Sequence, residues 1–191
     1  MTFAQAMLRH TGQGVALSEL VLNDKGVPPD VESLAVSLTQ TQRAESEELT
    51  RWLLGHGQPL LQPVATPGAT PDREEPGDAG SGSGTSSGDE SGAQDVGVDG
   101  RATVGQVRAL GRADGVLAGR LYLRLMTRHH QGALAAAGEE AARGQDAMLV
   151  ALARQIIGTQ QPQLEAIINS SAAVPPLVPG LTPPSGQVPP R

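Results

Sequence analysis

Along the first part of the chain, Phe3, Met7, His10, Gly14, Leu17 and Val21 follow steps of three and four, one face of a 3.6-residue period. The pattern predicts a helix over 2–24. It starts almost at once, with no cap or leader ahead of it, so the N-terminus is expected to be truncated. "NDKG" stops the helix, with Gly26 suited to the left-handed position past a helix end. "PPD" restarts the chain, because proline is tolerated in a first helical turn. A second helix is predicted over 29–55, with Val31, Leu34, Leu38, Gln42, Glu45, Leu49 and Trp52 as its stripe and "GHGQP" as its end.

The pattern then lapses. Residues 57–102 contain "PGDAGSGSGTSSGDESGAQD", Gly/Ser-rich and acidic, which buries too little apolar surface to offset its chain entropy. A disordered linker is expected there. Thr103 is placed to cap a short helix over 104–111, which "GRADG" breaks. Periodicity returns over 115–143, where Tyr122, Met126, His129, Ala133 and Ala136 share a stripe. A further helix is predicted over 146–170, with Leu149, Leu152, Ile156, Gln160, Gln163 and Ile167 inward. Gly158 and Pro162 weaken it, and Pro162 is expected to kink it. From 171 to 191 the Pro-rich "VPPLVPGLTPPSGQVPPR" predicts a disordered tail. The chain thus divides into a first hairpin (1–56), a linker (57–102), a second hairpin (103–170) and a tail (171–191). Each hairpin has one apolar face, so the two are expected to close into one all-α, four-helix domain.

Composition supports helices over sheets. Only 2% of the 191 residues are aromatic, so core volume must come from aliphatic side chains and methionine. Net charge is −6, and the segment from Asp72 to Asp99 alone holds eight acids against Arg73. The remainder is near neutral and carries no basic stripe, which argues against a nucleic-acid partner. There is no cysteine, which excludes disulfides and thiolate metal sites. No apolar run is long enough to span a membrane, and no signal peptide is visible. The sequence names no protein partner and no oligomeric state.

Hairpin arithmetic brings polar groups level. His10 lies 16 residues before Gly26, and Gln42 lies 16 after it with Glu45 a turn further. His129 lies 15 residues before Gly144, and Thr159 and Gln160 lie 15 and 16 after it, with Gln163 a turn further. With pseudo-twofold packing, His10, Gln42, Glu45, His129, His130, Gln160 and Gln163 would form one belt, with Met7 and Met126 one turn away on the same face. One reading is a hydrogen-bonded polar layer that fixes register. The other is a metal site, since imidazole suits copper, zinc, iron and nickel and thioether selects Cu(I). Met-x-x-His, at Met7/His10 and Met126/His129, puts sulfur and nitrogen on one helical face. Adjacent His129 and His130 point about 100° apart, so they serve two edges of a site rather than chelate one ion.

Other groups carry less. His56 reads as a solvated helix-end residue, and Glu139 and Glu140 as a solvated face. No Ser-His-Asp grouping, phosphate loop or Glu-x-x-His occurs, which leaves hydrolytic, nucleotide and di-iron carboxylate chemistry without residues.

The phrases "FAQAMLRHTGQGVALSELVL … VESLAVSLTQTQRAESEELTRWL" and "LYLRLMTRHHQGALAAA … LVALARQIIGTQQPQLEAI" resemble the two repeats of the DUF305 family. The resemblance covers about residues 2–55 and 104–169. It implies a ferritin-like four-helix bundle built from two duplicated hairpins, typically exported, and copper-binding in some members. It assigns metal-ligand roles to Met7, His10, Met126, His129 and His130, with Glu45 as a carboxylate partner. The sequence departs from the family pattern at Thr11, where a second His is expected, and at Leu17, Ala136, Leu49 and Ile167, where Met is usual. Gln163 stands where the second repeat would carry the carboxylate, and Gly119 where an acid is expected. The expectation is a non-catalytic, extracytoplasmic copper-binding protein. The alternative is a structural or partner-binding bundle that has lost its ancestral site.

Overall fold

The computed structural model describes residues 2–24, 26–60 and 98–174. Five helices account for most of them: α1 (Phe3–Leu22), α2 (Pro29–Gly55), α3 (Val104–Leu110), α4 (Gly115–Arg143) and α5 (Ala147–Ala173). The helix starts follow local chemistry. Thr2 Oγ1 accepts from Gln5 N at 3.3 Å while Gln5 Oε1 accepts from Thr2 N at 3.2 Å, so α1 does have a cap. Thr103 and Gln106 repeat that box for α3. Pro29 opens α2, and Asp146 caps α5 by accepting from Leu149 N at 2.9 Å. Gly26, at φ +110°, makes the tight exit from α1 that a residue with a Cβ would resist.

The long helices form two hairpins, α1 on α2 and α4 on α5. The bundle closes with α1 against α4 and α2 against α5, and α3 rests on α1 and α4. The hairpins lie head to tail. The turn end of the first hairpin (Leu17, Val21, Val31, Leu38) packs with Ala118, Tyr122, Leu123 and Ile167 from the open end of the second. The open end of the first (Ala4, Met7, Leu49, Leu53) packs with Ala133, Leu149, Leu152 and Ile156 at the turn end of the second. Between these two apolar clusters lies a layer of buried polar side chains: His10, Thr11, Gln42, Glu45, His129, His130 and Gln160.

Several expectations need adjusting. The buried stripes are rotated by one residue in places: Ala35, Leu53 and Ala137 are fully buried, while Leu34, Trp52 and Ala136 are half-buried. Proline 162 sits on the exposed side of α5, which continues through it as one helix. Its missing N–H deprives only the carbonyl of exposed Gly158. Both ends of the expected linker are folded onto the bundle. Gln5 Nε2 donates to the Pro59 carbonyl at 2.8 Å. Gln13 donates to the Ala102 carbonyl at 2.8 Å and accepts from Ala102 N at 2.7 Å. A 3₁₀ turn, Val98–Gly100, packs on α4, with Asp99 at φ 65° and Gly100 at φ 75°. A Cβ on Gly132 would collide with the Asp99 carbonyl oxygen, so glycine permits that approach. Likewise α5 extends past 170, and Val174 is buried in the first apolar cluster. The rest of the expected linker, 61–97, and of the expected tail, 175–191, lies outside the described residues.

Candidate metal centre

Two histidines meet where α1 crosses α4. His10 Nε2 lies 2.9 Å from the His129 carbonyl oxygen, and His129 Nε2 lies 2.9 Å from the His10 carbonyl oxygen. A carbonyl only accepts, so each ring donates Nε2–H and keeps a lone pair on Nδ1. The rings face one another with centroids 3.8 Å apart and planes tilted by 32°. His129 Nδ1 is buried with no hydrogen-bond partner. The same holds for both amide atoms of Gln42 and for Gln160 Oε1. Such orphans cost roughly 1–3 kcal/mol each when nothing fills the space between them.

Burial sets the protonation. Desolvation pushes the His10 pKa down to about 4, with the Arg101 charge adding to it and the hydrogen bond to His129 opposing it. Desolvation also takes His129 well below the usual imidazole range, helped by His10. His130 is lowered too, again by burial. All three rings are therefore neutral at neutral pH, the form that binds metals.

His130 faces elsewhere. Its Nδ1 lies 3.0 Å from the Met126 carbonyl one turn back, and so donates. That leaves an acceptor at Nε2, 3.3 Å from Gln163 Oε1, and turning the Gln163 amide over presents its NH₂ to that nitrogen. The centroids of His129 and His130 are 5.9 Å apart.

Glu45 is occupied in another way. Its Oε1 accepts from Thr159 Oγ1 at 2.7 Å and its Oε2 from Gln160 Nε2 at 2.8 Å. Burial raises its carboxyl pKa, and those two bonds hold the rise back. Thr11, standing where a second histidine would be, contacts Ser46 Oγ at 2.7 Å and donates to the Met7 carbonyl at 3.1 Å.

The methionines are not on one face of the site. Because the hairpins run head to tail, one turn before His10 leads into one apolar cluster and one turn before His129 into the other. Met7 belongs to the cluster with Leu49 and Ile156, and Met126 to the cluster with Leu38 and Tyr122. Met7 and His10 border a cavity of about 40 Å³ that Asp99 and Arg101 also line. That is room for one ion or one water. Among the described residues, no three His, Asp or Glu side chains cluster closely enough to hold a metal by themselves. The donor set therefore does not fit a hard or carboxylate-bridged centre. The donors that remain are bare imidazole nitrogens and a thioether, the types that a soft ion takes, and of the two facing histidines it is His10 that borders the cavity beside Met7.

Pattern reading missed three contributors. Asp99 and Arg101 fell within the expected linker. A buried hydroxyl pair, Ser18 Oγ to Tyr122 Oη at 2.8 Å, also went unseen, although Ser18 lies eight residues after His10 on the same helix. Ser18 donates onward to the Gly14 carbonyl, so Tyr122 is the donor to Ser18. Burial raises the Tyr122 phenol pKa far above its ordinary value.

An all-α bundle of two head-to-tail hairpins, with a polar layer at its middle, is of the ferritin-like class. The chain belongs to the DUF305 family, a domain of unknown function whose profile matches residues 1–169. A DUF305 fragment from Deinococcus radiodurans is similar at 26% identity and TM-score 0.66, over 90% of this chain and 93% of that one. A candidate secreted DUF305 protein from Streptomyces coelicolor is similar at 26% identity and TM-score 0.67, over 90% and 89%. CopM in its Cu(I)-bound form shares the fold at 18% identity and TM-score 0.61, over 90% and 94%. No curated protein matches the chain. No described helix is long and apolar enough to cross a membrane.

Proposed function

We propose that this is a non-catalytic, extracytoplasmic metal-binding protein whose ion is Cu(I). The observation that carries the reading is the reciprocal His10–His129 pair. Each imidazole spends its N–H on the other's helix, which fixes the tautomer and leaves Nδ1 bare in a neutral ring. Outward hydrogen bonding of this kind is how proteins orient metal-binding histidines. His129 Nδ1 has no partner, and Met7 borders an ion-sized cavity beside His10. In this reading His10, His129 and Met7 hold the ion, His130 serves its edge, and Met126 lies on the far side. Glu45 is a positioning residue that holds Gln160. A bound Cu(I) would supply storage or transfer of the ion. Export is supported by the candidate secreted relative, and copper by the fold neighbour seen with Cu(I).

A second reading, a bundle that kept its fold and lost its site, is favoured by Thr11 and by Glu45 being fully occupied. A Cu(I) competition titration against a chromophoric chelator separates the two, run on the wild type and on a His129→Ala/His130→Ala variant whose helicity is checked by circular dichroism. The metal-binding reading expects stoichiometric competition that the folded variant loses. No competition by the wild type sinks it and leaves the structural reading.

A further inference from the structure

At the opposite end of α2 from its proline start, a second constellation stands apart from the buried histidines. His56 follows the last turn of α2 and lies flat on Trp52, with centroids 4.2 Å apart and planes within 19°. Its Nδ1 lies 2.8 Å from the Trp52 carbonyl and so donates, which leaves a lone pair on Nε2. Asp146 approaches from α5. Its Oδ1 is held by Leu149 N at 2.9 Å and by Trp52 Nε1 at 3.3 Å. Its Oδ2 lies 4.0 Å from His56 Nε2, too far for a hydrogen bond. His56 opens onto a groove of about 380 Å³ that Met148 also lines, and Met148 is 66% exposed.

We propose that His56 and Asp146 form a surface site for one divalent, nitrogen- and oxygen-seeking ion of the Zn²⁺ or Cu²⁺ type, beside the Met148 thioether. The gap is the argument. Metal–nitrogen and metal–carboxylate bonds of about 2.0–2.2 Å, meeting at a tetrahedral angle, put the two donors roughly 3.4 Å apart. A small rotation of the two exposed side chains closes the 4.0 Å gap onto one ion without backbone movement. Both ligands are already oriented. The imidazole is fixed by an N–H bond to a backbone carbonyl and by stacking, and the carboxylate by an amide and an indole N–H, the supporting bonds that metal ligands use. The hydrogen bond from Leu149 holds the Asp146 carboxyl below its usual range, so it is ionised at neutral pH. The open groove leaves room for waters to complete the coordination, and a soft, monovalent ion is not required. This site is independent of the buried histidine pair.

Trp52 is the only tryptophan in the chain and stacks on the proposed ligand, so it reports directly. The experiment titrates the full chain with Cu²⁺ and follows tryptophan fluorescence, then adds Zn²⁺ to compete. The site predicts saturable quenching at one equivalent, reversed only by excess Zn²⁺, since Cu²⁺ binds such a site more tightly. His56→Phe keeps the stack and removes the nitrogen, and it should weaken the apparent affinity about tenfold or more. Asp146→Asn keeps the helix cap and removes the charge, and it should weaken affinity in the same direction. Quenching that does not saturate, or that His56→Phe leaves unchanged, overturns the proposal. Loss of Cu(I) competition with Cu²⁺ quenching intact would refute only the buried site, and the converse only this one.

Discussion

Acid should loosen this bundle through its histidine layer, and the size of the effect follows from His10. In the unfolded chain its imidazole titrates at 6.5, and in the fold at about 4. The folded value is depressed, so stability is fully present above pH 6.5 and is lost as pH falls toward 4. At pH 5 the unfolded chain takes up the proton and the folded one does not, a cost of about 2 kcal/mol, approaching ~3 kcal/mol below pH 4. His10 is 4% exposed, so solvent offers little screening. Protonation would also put an N–H on Nδ1 inside the bundle. His129 and His130 are shifted the same way and add to the slope. Glu45 has the opposite sign. Its folded pKa is raised, so its contribution is present below 4.5 and lost as pH rises through its folded value. Just above 4.5 it therefore offsets part of the histidine effect. Urea denaturation of metal-free protein at pH 7.5, 6, 5 and 4.5 measures the sum. His10→Gln, which retains an N–H donor and cannot titrate, should flatten the curve by about 2 kcal/mol at pH 5, and Glu45→Gln should steepen it just above pH 4.5. A stability that stays level from pH 7.5 to 5, or a His10 NMR titration near 6.5, would refute the buried neutral pair.

Two further changes probe the layer and its cover. Glu45→Ala removes the acceptor of both Thr159 and Gln160, whose own Oε1 is already unpartnered, and should cost about 2–3 kcal/mol by urea denaturation. A cost under about 0.5 kcal/mol would mean water replaces the carboxylate. Gly132→Ala places a methyl against the Asp99 carbonyl and should expel the Val98–Gly100 turn from α4, costing about 1–3 kcal/mol and speeding amide exchange at Ala102. Unchanged exchange would mean that the turn is not held there by the close approach.

Much of the fold was legible because each long helix writes its own period and ends on a local signal. Pro29 opens α2, Thr103 caps α3 and Gly26 turns the chain past α1, as their backbone chemistry requires, while Gly144 marks the end of α4. Equal lengths on either side of each turn set the level only to about one turn, since helical rise is constant but the centre of the turn is not marked: Gln42 lies against Gly14 rather than His10, Thr11 meets Ser46, and His130 meets Gln163. Pattern reading was weaker at the helix ends and in the linker. Thr2 and Gln5 form a capping box that was overlooked, and Gln13, an unremarkable surface type, ties down Ala102.

The relation between the hairpins belonged to the tertiary structure alone. Periodicity marks which face of a helix is buried, to within one residue, and says nothing about which way a second hairpin lies across the first. The head-to-tail packing decided that Met7 and Met126 flank the layer from opposite sides. It decided that His10 and His129 exchange hydrogen bonds through each other's backbone, and that Glu45 is taken up by Thr159 and Gln160. It also brought His56 to within 4.0 Å of Asp146, 90 residues further along the chain. Local sequence sets the helices because their hydrogen bonds close within four residues, whereas contacts between the hairpins are fixed only when two separately patterned surfaces are packed together.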